Sequence, residues 1–303
     1  MAADEDFLKR FDVNVWQRGD ERAPHKPLLL LLALARLQRG DDRLMLFEDV
    51  DTKLAALLRD FGPARKTTHP ELPFWYLQTD GIWELPEREE LKAAVSHRKK
   101  TKDIPRAVMK EHHARGGFTP DIDVLLRHNR ELLHVLVTRI LDAHFPHSIH
   151  DDLLAAVGFA WEAVPIGRRR DPAFRDSILR VYEHRCAVCG YDGRLGNTDL
   201  GLEAAHVRWH THGGPDDVSN GLALCVFHHR ALDRGAIGLD GSHRVLVSQD
   251  VHGQTGVEEL LLRFHGASLR LPQQGFGRPE QRHIDWHRAE VFRGEPRIHV
   301  AAT

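Results

Sequence analysis

The chain has 303 residues, of which 42% are hydrophobic and 28% are charged, and its formal net charge at pH 7 is -2. This length favours two domains, and the charge balance excludes a global basic field for nucleic acid. No apolar stretch reaches the roughly 18 residues that a membrane span needs, and residues 1–6 are acidic where a signal peptide would be basic. We therefore expect a cytoplasmic protein without a membrane partner.

The first half of the chain combines helical patterns with short apolar segments. Apolar residues at helical spacing predict helices over 6–16, 27–38, 49–61, 88–96, 122–141 and 149–157. Residues 44–47 predict a short strand. Residues 73–78 and 82–85 flank Asp80-Gly81, a pattern that predicts a β-hairpin.

The stretch 158–172 is rich in Gly, Pro and Arg, which is typical of a domain boundary. We expect a first domain over 1–160 and a second over 161–303, with its core at 174–235. The second domain should contain a helix over 174–184 capped by Asp171, two strands over 236–247 and a terminal helix over 280–292. The predicted fold class is α+β, with a first domain that mixes helices and a small sheet.

All three cysteines lie in the second domain at metal-ligand spacing. Cys186 and Cys189 form a C-x2-C pair, and Cys225 with His228 forms a C-x2-H pair. Four such ligands are what a tetrahedral structural Zn²⁺ needs, and the odd number of cysteines argues against disulfides. The adjacent His229 is an alternative fourth ligand, although the x2 spacing favours His228.

A second set of polar residues is interleaved with the zinc ligands. His206 follows a short alternating segment, Asn220 ends a loop, and His229 lies four residues before Asp233 in a helical stretch. A spacing of four places His229 and Asp233 on one helix face, as two ligands of a single divalent cation require. His206 on the facing strand can then deprotonate a water molecule.

The segment 180–233 resembles the HNH endonuclease family, whose active site is a ββα-metal fold. The resemblance is carried by C-x2-C, by Ala-His after a strand, by Asn220, and by Leu-Cys-x2-His-His-Arg. It implies that His206 is the general base and that Asn220 orients its loop. It also implies that His229 binds a catalytic Mg²⁺ or Mn²⁺ in a zinc-stabilised nuclease domain.

One position departs from that family. Many of its members carry Asp or His directly before the general base as a metal ligand, whereas this chain has Ala205. The cation would then depend on His229, Asp233 and substrate oxygens. An inactive relic of the fold that only binds DNA is the alternative to an active enzyme.

The first domain has no cysteine and no catalytic set, which favours a role in selecting the substrate. Its A-P-H-K-P-L-L-L-L run and its P-F-W-x-L-Q-x-D-G motif resemble the sulfur-binding domain of McrA-like HNH endonucleases. Those enzymes attack phosphorothioate-modified DNA. The two resemblances together cover most of the chain.

Sulfur in a phosphorothioate is larger and a poorer hydrogen-bond acceptor than the oxygen it replaces. A shallow apolar cup would select it, because burying an oxyanion against carbon costs several kcal/mol. We expect Leu72, Pro73 and Tyr76 to form this cup, while Phe74 and Trp75 belong to the core. Contacts to the DNA backbone and bases are expected from Arg18, His25 and Lys26, with phosphate contacts from Arg98, Lys99, Lys100 and Lys102.

The sequence thus predicts a modification-dependent restriction endonuclease that acts on double-stranded DNA. A homodimer is expected, because one HNH site cuts one strand and a double-strand break needs two sites. Two alternatives remain open. One is an HNH endonuclease that depends on a modified base such as methylcytosine, and the other is a non-catalytic, zinc-containing DNA-binding protein.

Overall fold

The computed structural model describes residues 2–12, 20–96, 103–160 and 172–298 of the chain. The chain forms two compact units, one made of Met1–His144 and His150–Val164 and the other of Phe145–Ile149 and Pro165–Thr303. These units differ from the predicted domains mainly in the segment Phe145–Ile149. This segment packs with the second unit, although its neighbours on both sides in the sequence belong to the first.

The first unit combines helices with a short three-stranded sheet. Its helices are α1 (Ala2–Lys9), α2 (His25–Arg39), α3 (Phe47–Phe61), α4 (Glu71–Tyr76), α5 (Arg88–Val95), α6 (Arg106–Glu111), α7 (Pro120–His128), α8 (Arg130–His144) and α9 (His150–Val157). Its strands are β1 (Met45–Leu46), β2 (Trp83–Glu84) and β3 (Arg115–Phe118). The central strand β3 pairs antiparallel with both others.

Helix α2 lies at the core of the first unit. Every side chain from Leu28 to Ala35 is buried, so this helix packs against neighbours on all its faces. Pro27 lies in the first turn, where its missing N–H is not needed. Gly40 ends the helix in the left-handed region at a φ of 82°. The predicted helix over 27–38 is confirmed.

The predicted hairpin over 73–85 is wrong. Residues 71–76 form α4, and Leu77–Asp80 continue it as a 3-10 helix that ends at Gly81. Trp83 does lie in a strand, but it pairs with Phe118 of β3. The apolar run fits a strand as well as a helix, and the missing N–H of Pro73 is tolerated in the first turn of α4.

The predicted helix over 122–141 is in fact two helices. Asn129 separates α7 from α8 because its backbone is not helical, with φ -127° and ψ 84°. Its side-chain oxygen accepts a hydrogen bond from the N–H of Leu132 at 3.0 Å. This is the contact of an N-cap residue, so Asn129 starts a new helix.

The second unit contains the remaining elements. Its helices are α10 (Pro172–Val181), α11 (Val226–Asp233), α12 (Val257–Leu260) and α13 (Gln281–Glu290). Its strands are β4 (Arg194–Leu195), β5 (Thr198–Asp199), β6 (Leu202–His206), β7 (Gly221–Cys225), β8 (Ile237–Leu239) and β9 (Val245–Val247). They form three separate antiparallel pairs, β4 with β5, β6 with β7, and β8 with β9.

The main elements predicted for the second unit are present. Helix α10, the β8–β9 pair and helix α13 correspond to the helix, the two strands and the terminal helix expected there. Asp171, the expected cap of α10, lies outside the described residues. The α+β fold class is confirmed. In the part of the chain that the structure describes, no helix combines the length and apolar character needed to cross a membrane.

Candidate functional site

Strands β6 and β7 and helix α11 form the scaffold of the candidate site. The two strands pair antiparallel from Leu202 opposite Cys225 to His206 opposite Gly221. Helix α11 starts directly after Cys225. All residues of β7 are buried, so β7 supplies packing while β6 and α11 present polar side chains.

The four predicted zinc ligands lie together. One ligand atom from each of Cys186, Cys189, Cys225 and His228 lies within 4.8 Å of the others. The Nδ1 atom of His228 is 3.2 Å from the Cys225 sulfur, and its Nε2 donates to the carbonyl oxygen of Leu260 at 2.9 Å. That backbone contact leaves Nδ1 to face the sulfurs. Three sulfurs and one imidazole nitrogen fit Zn²⁺.

His206 ends β6, and its ring is held on two sides. The ring stacks on Phe174, with 4.1 Å between centroids and 9° between planes. Its Nε2 lies 2.7 Å from a carboxylate oxygen of Asp216. Burial lowers the pKa of His206, while the hydrogen bond and charge of Asp216 oppose that effect. With Nε2–H donated to Asp216, Nδ1 carries the lone pair that a general base needs.

Asn220 is buried and joins two parts of the loop that follows His206. Its side-chain oxygen accepts from the N–H of Arg208 at 2.8 Å, and its amide nitrogen donates to the carbonyls of Arg208 and Pro215 at 2.9 and 3.1 Å. The close packing requires Gly214, because a Cβ there would lie 1.9 Å from the Arg208 carbonyl oxygen. These contacts hold the two ends of this loop together.

The imidazole of His229 lies between two carboxylates. Its Nε2 is 3.1 Å from Asp233 Oδ2, and its Nδ1 is 2.8 Å from Glu203 Oε2. Burial by itself would lower the pKa of His229, but the charges and hydrogen bonds of Asp233 and Glu203 raise it to about 9. Asp233 Oδ2 also accepts a hydrogen bond from the hydroxyl of Ser148.

The pair of His229 and Asp233 fits a hard divalent cation. Ligands in neighbouring octahedral positions, each about 2.1 Å from Mg²⁺, lie about 3 Å apart. The observed separation of 3.1 Å between Nε2 and Oδ2 matches that spacing. Imidazole nitrogen and carboxylate oxygen are also suitable ligands for Mn²⁺. Ala205 is fully buried and offers no ligand atom.

Sequence reasoning did not assign a role to Glu203, Asp216 or Ser148. A role for Glu203 could have been found from the sequence. Glu203 precedes Ala205 by two positions in a predicted strand and therefore lies on the same strand face as the position where many HNH enzymes carry a metal ligand. Asp216 lies in a loop, where spacing says little about which residue a side chain meets. Ser148 meets Asp233 across 85 positions of sequence, a contact that no local pattern reveals.

The predicted sulfur cup lies on one helix face of the first unit. Leu72, Pro73 and Tyr76 are at positions i, i+1 and i+4 of α4, and such positions share a face. Pro73 is buried, whereas Leu72 and Tyr76 are partly exposed. The Tyr76 hydroxyl donates to Asp103 at 2.5 Å, a hydrogen bond that raises the pKa of Tyr76 to about 12.

His25 and Lys26 begin α2 close to this helix. Burial lowers the pKa of His25 to about 4, with smaller effects from the charges of His69, just before α4, and of Glu71, the first residue of α4. Lys26 forms a 2.6 Å ion pair with Asp80, and both side chains are largely buried. His25 is therefore neutral near pH 7, and Lys26 already has a partner within the fold.

Arg18, Arg98, Lys99, Lys100 and Lys102 lie outside the described residues. Their role as DNA contacts stays a prediction.

Two family models match the chain. The model for the ScoMcrA-like DNA sulfur-binding domain matches residues 4–162, and the model for the HNH endonuclease matches residues 186–240. The zinc set and the set of His206, Asn220 and His229 lie within the second match. The cup on α4 lies within the first. No curated protein matches the chain.

Several solved structures are similar to parts of the chain. The sulfur binding domain of ScoMcrA complexed with phosphorothioated DNA is 22% identical at a TM-score of 0.43, covering 50% of this chain and 94% of that one. The corresponding domain of SprMcrA is 24% identical at a TM-score of 0.41, covering 51% and 93%. The modification-dependent TagI restriction endonuclease is 25% identical at a TM-score of 0.31, covering 44% and 41%.

Proposed function

The chain belongs to the family of the ScoMcrA-like DNA sulfur-binding domain, and on this basis we propose that it is a phosphorothioate-dependent restriction endonuclease. It binds modified double-stranded DNA and hydrolyses phosphodiester bonds near the modification. One observation carries the proposal: a sulfur-binding domain and an HNH endonuclease domain occur in one chain, and His206, Asn220 and His229 lie on or beside one ββα scaffold.

His206 acts as the general base. Asp216 holds the imidazole through Nε2–H, and Phe174 fixes the plane of the ring. The lone pair on Nδ1 then takes a proton from the attacking water. Asn220 keeps the loop after His206 in place through its three hydrogen bonds to Arg208 and Pro215.

His229 and Asp233 hold the catalytic cation. Their 3.1 Å separation suits neighbouring ligands of Mg²⁺ or Mn²⁺. When bound, this ion neutralises charge that grows on the phosphate oxygens during hydrolysis. The Cys186, Cys189, Cys225 and His228 set holds a structural Zn²⁺ at the start of α11, which fixes the helix that carries His229.

The first domain selects the modified phosphate. Leu72, Pro73 and Tyr76 supply apolar atoms on one face of α4, where sulfur is tolerated better than a charged oxygen. His25, neutral near pH 7, contributes a hydrogen bond rather than a charge. Arg18, Lys26, Arg98, Lys99 and Lys100 are the proposed contacts to the surrounding DNA backbone and base edges.

A cleavage assay on matched plasmids tests the proposal. With Mn²⁺ and at about 0.1 M salt, since phosphate contacts make affinity salt-dependent, we expect cutting of phosphorothioate plasmid and none of unmodified plasmid. The His206→Ala chain should bind the modified duplex as the wild type does and leave it uncut.

Other results would replace the proposal. Cutting only of plasmid with methylated or hydroxymethylated cytosine would indicate a nuclease that depends on a modified base. Binding by the wild type without cutting, indistinguishable from His206→Ala, would leave a DNA-binding protein. Equal affinity for modified and unmodified duplexes would overturn the apolar cup.

A further inference from the structure

Each ring nitrogen of His229 faces a different carboxylate. Asp233 approaches Nε2 and Glu203 approaches Nδ1. A neutral histidine binds a metal through one nitrogen and donates a hydrogen bond through the other. One carboxylate therefore lies on the metal side of the ring, and the other lies behind it.

The register of β6 and β7 identifies the metal side. His206 lies at the end of β6 that pairs with Gly221, whereas Glu203 pairs with Leu224, two residues before α11 starts. Glu203 is thus about 10 Å along the strand from His206. Helix α11 contacts both strands, and at about 1.5 Å per residue its last residue, Asp233, lies farther from the start of the helix than His229 does.

The electrostatics of His206 agree with this placement. Among the groups that act on the pKa of His206, burial comes first and Asp216 next, and the charge of Asp233 also contributes. A hydrolytic centre must include the general base and the cation together. The metal side of His229 is therefore the Nε2 side, which faces Asp233.

Asp233 also has a partner behind it. The Ser148 hydroxyl donates to Asp233 Oδ2, and the Arg230 side chain donates to the Ser148 carbonyl oxygen at 3.0 Å. Ser148 lies in the segment Phe145–Ile149, whose two end residues are each only 1% exposed. The hydroxyl is thus fixed by its own segment and by α11.

We propose that Glu203 and Ser148 are positioning residues of the metal site, Glu203 for His229 and Ser148 for Asp233. Glu203 accepts the Nδ1–H of His229, which fixes the tautomer with its Nε2 lone pair directed to the cation. Ser148 holds the Asp233 oxygen and leaves a second lone pair for the cation. This inference rests on the proposed function, since it concerns the same metal site.

The role of Ser148 links the two halves of the sequence. Ser148 lies within residues 4–162, which match the sulfur-binding family, and outside residues 186–240, which match the HNH family. The metal site of the second unit is therefore not complete within the HNH segment alone.

The test is Mn²⁺ binding to the full-length chain without DNA, measured by electron paramagnetic resonance and calorimetry. Glu203→Ala should weaken Mn²⁺ binding about 10- to 100-fold, as loss of a residue behind a metal ligand typically does. Glu203→Gln should stay within a few-fold of wild type, because its amide oxygen can accept the same Nδ1–H. Ser148→Ala should weaken binding about tenfold, and Ser148→Thr, which keeps the hydroxyl, should restore most of it.

Matched controls separate this effect from misfolding. Glu259→Ala and Ser242→Ala change exposed residues of the second unit and should bind Mn²⁺ like the wild type. His229→Ala should abolish binding. The zinc content of each variant reports whether the Cys186, Cys189, Cys225 and His228 set is still folded. If an alanine variant loses zinc, the Mn²⁺ affinities of Glu203→Gln and Ser148→Thr test the two roles instead.

Three results overturn the proposal in whole or in part. Wild-type Mn²⁺ affinity in zinc-loaded Glu203→Ala removes the role of Glu203, and the same result in Ser148→Ala removes that of Ser148. If Glu203→Gln binds Mn²⁺ as weakly as Glu203→Ala does, Glu203 is a direct ligand of the cation and not a positioning residue. If Mn²⁺ affinities follow the expected order but the wild type cuts no phosphorothioate DNA, the proposed function fails and the positioning roles stand.

Discussion

The reactivity expected of His206 depends on one acidic neighbour. Asp216 lies 2.7 Å from its Nε2, and its hydrogen bond and charge oppose the effect of burial on the pKa of His206. The resemblance of the sequence to the HNH family implies that His206 is the base, but it does not name the group that orients it. The neighbour is therefore the residue whose replacement best tests the assignment.

Replacing Asp216 by Asn should weaken the base without removing the ring. The amide still accepts a hydrogen bond but carries no charge, so the pKa of His206 falls further. The acidic limb of the cleavage rate should move to lower pH, and the plateau should drop about 10- to 100-fold. Single-turnover rates between about pH 5 and 9 test this, with Asp176→Asn as an exposed control. An unchanged profile would remove Asp216 from the site.

His25 should make the first unit sensitive to mild acid. Burial lowers its pKa to about 4, below the ordinary 6.5, so below pH 6.5 the unfolded chain takes up a proton that the folded chain does not. The first unit therefore has its full stability above pH 6.5 and loses part of it as the pH falls towards 4. The loss amounts to up to about 3 kcal/mol.

Hydrogen exchange of the α2 amides measures this loss. The free energy of opening should fall less between about pH 7 and 4.5 in His25→Gln than in the wild type. If the free energy of opening depends on pH equally in the two proteins, His25 is protonated as easily in the folded chain as in the unfolded chain.

At the scale of elements, local patterns located most helices but misassigned those whose type depends on packing. The helices 27–38 and 49–61 and the strands of 236–247 are strongly patterned, and the structure confirms them. Residues 73–78 are apolar at nearly every position, so periodicity cannot distinguish a buried strand from a buried helix. Their burial against α2 and β2 decided the outcome: α4 packs against α2, and the ring centroid of Phe74 lies 5.8 Å from that of Trp83 in β2.

The four zinc ligands should determine the stability of the second unit. Because Zn²⁺ binding typically contributes about 10 kcal/mol or more to small domains, Cys189→Ser should lose the zinc and unfold residues around α11. The first unit contains none of these ligands and should melt as in the wild type. Zinc analysis with calorimetry tests this, and a variant that keeps one zinc per chain and the wild-type melting profile would contradict it.

At the scale of the whole molecule, the described residues of each chain contain one candidate catalytic set, and one such set can cut one strand at a time. We propose that two chains act together to break both strands. Adding excess His206→Ala chain to the wild type should then convert linear product into nicked product, because mixed pairs cut one strand only. Gel analysis of phosphorothioate plasmid measures the ratio, and unchanged linear product would indicate that one chain cuts both strands in turn.

The sequence by itself determined the α+β class and the family of each half. It also supplied the hypothesis that four residues bind zinc. It could do so because these features depend on short covalent spacings: C-x2-C, C-x2-H and helical periodicity. Only the tertiary structure decided that Glu203 and Asp233 lie on opposite sides of His229, that Ser148 reaches Asp233, and that Lys26 pairs with Asp80. Those contacts, apart from the His229–Asp233 pair, join residues 26 to 85 positions apart, and packing of the folded chain, not local sequence, brings them together.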